Sequence, residues 1–174
     1  MYLLTTRIEI AASPETVRAK VSSYTIEFSL WPKLTTSQVL DFPQISNYHP
    51  NGFFRSLAPA IPSKPLKAGD KMNNVLEGMT FDPIVLENSS STFGWRGNFM
   101  GIFIGEHIFR FEPSTKTQGG TTFVQEEKFT GILSWMMGEG FVARAIGSKE
   151  KTKRGFERYN LDLKAWCEGT KSGQ

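Results

Sequence analysis

Two side chains in this 174-residue chain combine the residue types and the spacing that proton chemistry needs, His107 and Glu127. Each sits in a stretch of alternating apolar and polar residues, the period of a β-strand. In residues 106–112, His107, Phe109 and Phe111 share one face, opposite Glu106, Ile108 and Arg110. In residues 121–131, Phe123, Gln125, Glu127 and Phe129 share a face, opposite Val124, Glu126, Lys128 and Thr130. The aromatic faces belong inside, so His107 and Glu127 are expected to converge among Trp95, Phe99, Phe109 and Met137. An imidazole beside a carboxylate in apolar surroundings is a pairing suited to general acid–base work, such as an enolisation, a dehydration or an aldol-type ring closure. The alternative is that the two groups satisfy each other and nearby backbone groups, or orient the polar end of a bound molecule. Register decides between the faces, because a slip of one residue exchanges them.

Tyr48, Trp95, Phe99, Phe109, Gln125, Phe129, Met137 and Phe141 are the candidate ligand contacts. Met136, Met137 and Phe141 are adaptable side chains that suit either a variable ligand or an irregular core. With two histidines and one cysteine, Cys167, the chain offers neither a His- or Cys-rich metal site nor a disulfide framework. The glycines in Gly94-Trp95-Arg96-Gly97 and in residues 101–105 match no dinucleotide fingerprint or phosphate loop, and read as strand ends and a hairpin connection. Ser134-Trp135 lacks the pattern of a nucleophile elbow. Cys167, near the end of a helix, is expected to be inert. No cofactor is implied.

The elements that must position these groups follow from periodicity. Residues 3–10 alternate as a first strand. Ser13-Pro14-Glu15-Thr16 starts a helix, with Ser13 at the N-cap and Pro14 in the first turn, and Val17 and Val21 on one face. Further strands are expected at residues 53–57, 71–77, 81–88, 91–99, 106–112 and 121–131, with Gly119-Gly120 as a hairpin turn. The short connections favour an antiparallel meander. From Met137 to Trp166 the period becomes helical, over about 30 residues or about 45 Å. Gly147 and Gly155 would each cost such a helix about 1 kcal/mol relative to Ala, and allow a bend or a close approach. A long amphipathic helix must cover a sheet. The expected fold is α+β, a curved antiparallel sheet wrapped around a C-terminal helix, with short helices after the first strand.

Composition agrees with a globular protein of one domain: 39% hydrophobic and 21% charged residues, with no apolar run approaching a membrane span. The expected location is cytoplasmic. Net charge is +3. The basic residues Lys149, Lys151, Lys153, Arg154, Arg158 and Lys164 are interleaved with Glu150, Glu157 and Asp162 at helical spacings, which describes a solvated ion-paired face rather than a nucleic-acid surface. Aromatic content is high, with 14 Phe, 4 Trp and 4 Tyr, and points to an apolar cavity.

The chain also resembles a known family. The residues that carry the resemblance are Thr6-Arg7-Ile8-Glu9-Ile10-Ala11-Ala12-Ser13-Pro14-Glu15-Thr16-Val17 and Asp41-Phe42-Pro43 with Tyr48-His49-Pro50. Phe93-Gly94-Trp95-Arg96-Gly97, Gly105-Glu106-His107-Ile108-Phe109-Arg110-Phe111-Glu112-Pro113, Gly120-Thr121-Thr122-Phe123-Val124-Gln125-Glu126-Glu127 and Phe129-Thr130-Gly131-Ile132-Leu133 complete it. Together they resemble the SRPBCC superfamily, with its START and birch-pollen-allergen-like helix-grip fold, and in particular its polyketide cyclase/dehydrase-like branch. That resemblance implies an internal cavity for a small hydrophobic or aromatic molecule, and shares no catalytic signature. Three tasks stand open. They are binding or transfer of such a molecule, cofactor-independent cyclase, dehydratase or isomerase chemistry through His107 and Glu127, and carriage of a lipid or quinone at a membrane surface. His49 falls where the family often places a tryptophan-containing segment at the cavity mouth; it is a gate or a surface turn.

Residues 21–38 fit this pattern badly. Removing them joins residues 16–20 to residues 39–43 as one amphipathic helix entering the Asp41-Phe42-Pro43 segment. Val21-Ser22 can be encoded by GTAAGT or GTGAGT, Gln38 by CAG, and Leu34-Thr35 can contain CTNAC, the donor, acceptor and branch signals of a short fungal-type intron. The stretch is therefore read either as a retained intron or as a genuine insertion whose Phe28, Leu30 and Trp31 need a surface. Residues 168–174 are expected to be a flexible tail.

Overall fold

A computed structural model of the chain describes residues 1–22, 52–61, 66–138, 140 and 147–169. In chain order the elements are β1 (Tyr2–Ile10), α1 (Pro14–Ser22), β2 (Phe54–Pro59), β3 (Met72–Leu76), β4 (Met79–Phe81), β5 (Ile84–Asn88), β6 (Thr92–Phe99), β7 (Phe103–Pro113), β8 (Thr121–Thr130), a 3-10 helix (Ile132–Met137) and α2 (Ser148–Glu168). The candidate contacts Tyr48 and Phe141, the candidate gate His49 and all of the anomalous stretch beyond Ser22 lie outside the described residues.

Five strands form an antiparallel sheet in the order β1-β8-β7-β6-β5, and β2-β3-β4 form a second, smaller one. One continuous sheet was expected, with residues 81–88 as a single strand. That strand is broken at Asp82-Pro83, because Pro83 has no N–H to give to a ladder. The two sheets stay joined at the break. The Met72 N–H donates to the Pro83 carbonyl (2.9 Å), the Val85 N–H to the Asp70 carbonyl (2.9 Å) and the Gly69 N–H to the Val85 carbonyl (2.8 Å). The small sheet thus folds over the open end of the large one.

α1 begins as its sequence dictates. The Ser13 hydroxyl accepts from the Thr16 N–H at 3.3 Å, and Val17 and Val21 are fully buried. Arg18 ties the helix to the far edge of the sheet. It donates to the Ser89 carbonyl at 2.9 Å and to the Asn88 side chain, and lies 5.5 and 5.4 Å from the ring centres of Phe93 and Phe111. Burial lowers its pKa to about 10.

α2 is shorter than its periodicity suggests. Gly138 is extended (φ −84°, ψ −170°) and Gly147 is left-handed (φ 68°), and α2 itself begins at Ser148. Phe156, Tyr159, Asn160, Leu163 and Trp166 form its buried face. Asp162, expected among the solvated charges, is also buried. Gly155 meets the other layer: a Cβ there would come within 2.3 Å of the Phe53 ring. Polar contacts fasten α2 to β1. Lys164 donates to the Glu9 carbonyl (2.6 Å), and the Asn160 amide to the Thr6 hydroxyl (3.0 Å). Glu168, expected in a terminal tail, is the last residue of α2 and accepts from the Ala11 N–H at 2.7 Å.

The aromatic residues mostly fill the space between sheet and helix rather than ring a void. Phe54, from the small sheet, lies 5–6 Å from the ring centres of Trp95, His107, Phe109 and Tyr159. Phe93, Phe109, Phe111, Phe123 and Phe156 are buried around this centre.

Candidate functional site

The inward rows of the large sheet explain where space remains. One row runs Leu4, Glu127, His107, Trp95 across β1, β8, β7 and β6. The next, toward the β6–β7 hairpin, runs Tyr2, Phe129, Gly105, Gly97. Two glycines side by side leave the sheet without side chains at that point, and this bare patch is a cavity floor. Both were expected at strand ends or in a hairpin connection, yet they are register partners inside the ladder. The cavity above them has a volume of about 200 Å³. Phe53, Leu76 and Phe81 close it from the small sheet, Thr152 from α2, and Met137 and Phe129 from the side.

His107 lies behind this floor, only 2% exposed. Its Nδ1 faces the Glu127 carboxylate at 3.1 Å, and its Nε2 faces the Gln125 amide nitrogen at 3.2 Å. A carboxylate only accepts, so in the neutral ring Nδ1 carries the hydrogen and Nε2 receives one from Gln125. Trp95 stacks on the imidazole, with centroids 4.6 Å apart and planes 9° from parallel. Glu127 reaches past this ring to the cavity. A Cβ on Gly105 would sit 2.5 Å from Glu127 Oε1, so the glycine makes the room the carboxylate occupies. The arrangement presents one carboxylate to the cavity and holds it from behind through a buried imidazole and amide.

A scan against protein-family models finds no match, and no curated protein matches the chain. Solved structures do. A hypothetical protein of Helicobacter pylori superposes with a TM-score of 0.64 at 10% identity, over 95% of this chain and 88% of that one. Norcoclaurine synthase from Thalictrum flavum gives 0.51 at 12% identity, over 92% and 86%. BexL, a di-domain ARO/CYC protein of the BE-7585A biosynthetic pathway, gives 0.55 at 12% identity, over 99% of this chain and 50% of its own length. The chain has the helix-grip fold, an antiparallel sheet closed over a C-terminal helix.

Within this helix-grip frame, the sequence-predicted residues fall into three groups. Glu127, Trp95, Phe99, Phe129 and Met137 line the cavity, with Phe99 at its rim and 64% exposed. His107, Phe109 and Gln125 do not line it. Phe109 is a fully buried core ring stacked on Tyr159 and Phe93, and Gln125 lies beneath His107. The cause is register: both lie farther from the bare patch than the Glu127–His107–Trp95 row. Tyr48 and Phe141 are outside the described residues. Sequence reasoning missed Gly97 and Gly105, for which glycines in phase with inward aromatics were an available signal. It also missed Phe53, Phe81 and Asp82, which only the folding-over of the small sheet brings here.

Among the described residues no three His, Cys, Asp or Glu side chains are grouped to hold a metal ion. None of the helices described is long and apolar enough to cross a membrane. Burial raises the pKa of the Cys167 thiol to about 11, which leaves it a poor nucleophile.

Proposed function

We propose that the protein binds a small hydrophobic or aromatic molecule in the cavity over Gly97 and Gly105, for storage, transfer or sequestration. The observation that carries this reading is an aromatic-walled cavity of about 200 Å³ whose floor is built into the strands themselves. An apolar cavity of roughly 150 Å³ accepts benzene, so this one suits a single ring with a short substituent. Native mass spectrometry of the purified protein, with extraction and identification of any bound molecule, is the direct test. The expected result is a stoichiometric small molecule that dissociates on denaturation. A mass matching the bare chain, together with no binding of monocyclic aromatic compounds, would sink the reading.

A second reading is favoured by the Glu127–His107–Gln125 chain. Glu127 would act as a general base toward a bound carbonyl compound, while His107 holds the carboxylate in place from the core. The polyketide-type cyclisation, dehydration or isomerisation that the resemblance leaves open as an alternative would then depend on Glu127 for contact and on His107 for position. Under this reading Glu127→Gln abolishes turnover while ligand binding survives. Turnover that persists in Glu127→Gln would exclude it.

A further inference from the structure

We infer that the molecule held in this cavity is an organic cation, a protonated amine on an aromatic or apolar body; the inference rests on the reading of the cavity as a binding site. Among the described residues the charged side chains lining it are Glu127 and Asp82, both carboxylates. Glu127 receives the His107 Nδ1 hydrogen on Oε2, which leaves Oε1 over Gly105 at the cavity floor. A ligand entering there meets an oxygen that accepts a hydrogen and has none to give. Asp82, exposed at the break between β4 and β5, adds a second carboxylate at the rim.

The basic groups of the same strands are turned away. Arg96 and Lys128 both engage Glu106, at 2.6 and 3.4 Å, on the outer face of the sheet. Strand alternation puts that face opposite Trp95 and Glu127. The chain as a whole carries a net charge of +3 and would attract anions, so the acidic lining of the cavity runs against the overall balance. The walls reinforce the choice of charge. Phe81, Trp95, Phe103 and Phe129 line the space, and aromatic faces attract a cation while offering nothing of the kind to a neutral or anionic group. The volume admits one ring and a short aminoalkyl arm with the nitrogen at Glu127.

The test is isothermal titration with three compounds that share one body: 2-phenylethylamine, 2-phenylethanol and phenylacetate. The amine is expected to bind about tenfold tighter than the alcohol, since both can donate to the carboxylate but only the ammonium adds the attraction of unlike charges in a site partly shielded from water. Phenylacetate is expected to bind weakest. Glu127→Gln should remove the amine's advantage over the alcohol. Asp82→Asn, at an exposed position that does not threaten folding, should reduce the advantage by a smaller factor. Equal binding of the alcohol or of phenylacetate would overturn the cation and leave the binding site intact. An amine preference that survives both substitutions would overturn it as well. If none of the three binds but neutral ethylbenzene does, the cation alone is wrong; if ethylbenzene fails too, the binding site falls with it.

Discussion

Trp95 and His107 lie face to face on neighbouring strands, 4.6 Å between centroids and 9° from parallel, directly behind the carboxylate that enters the cavity. The indole is thus both a wall of the cavity and the surface that fixes the imidazole plane. Trp95→Ala removes both roles and is expected to destabilise the fold by about 3–5 kcal/mol. Trp95→Phe keeps a ring against His107 and should cost less than half as much. Urea unfolding followed by far-UV circular dichroism measures both. Equal losses would show that a ring retained against His107 recovers nothing.

Gly105→Ala places a methyl group where Glu127 Oε1 now lies, 2.5 Å away. The carboxylate must swing aside, so ligand affinity should fall at least about tenfold, the loss of one charge-assisted hydrogen bond, while the fold persists. Gly97→Ala instead meets the edge of the Phe81 ring at 2.9 Å, which narrows the cavity without moving Glu127. Titration of both variants against the same ligand separates floor shape from floor chemistry.

Gly155→Ala sets two effects of known size against each other. Helix propensity gains about 1 kcal/mol. The new Cβ would lie 2.3 Å from Cδ2 and 2.9 Å from Cγ of Phe53, a ring already packed edge-on against Phe54 and Phe156. Overpacking of that kind costs about 1–3 kcal/mol, so the net change is expected to be a loss of stability and a lower Tm. A raised Tm would mean that Phe53 can leave its place without penalty.

Acid should loosen the seam between α2 and β1. The Ala11 N–H, and then Lys164, hold the Glu168 carboxyl below the usual carboxylate range. The folded chain therefore binds this proton less tightly than the unfolded one. The stabilisation is complete above the unfolded pKa and disappears as pH falls through the lower folded value. Glu168→Gln should be less stable than the parent at about pH 7 and nearly equal to it at about pH 2. A stability difference that does not change with pH would refute the linkage.

Residues 21–38 carry a prediction about the message rather than the fold. The intron reading expects the mature transcript to lack their codons. A transcript that retains the whole stretch would make it a genuine insertion.

Much of this was legible without coordinates, for reasons that differ between residues. Alternation in residues 106–112 and 121–131 puts His107 and Glu127 on inward faces, because side chains in a strand must alternate and aromatic faces seek the interior. The pairing of β7 with β8 then follows from a short turn at Gly119-Gly120. The N-cap at Ser13 and the buried face of α2 are equally local in origin. Helical spacing alone did not reveal where α2 begins, since Met137 continues the period while Gly138 and Gly147 break the backbone.

What the linear chain determined by itself is most of the elements, their inward faces and the meeting of an imidazole with a carboxylate, all consequences of short-range periodicity. The tertiary structure decided which of the two groups meets a ligand. His107 and Glu127 are register partners, and only the row beside them, Gly105 and Gly97, is bare. The carboxylate leans into that space while the imidazole is sealed by Trp95 and Phe54. That outcome depends on how rings from two sheets pack over one another, and packing between distant segments leaves no period in a sequence.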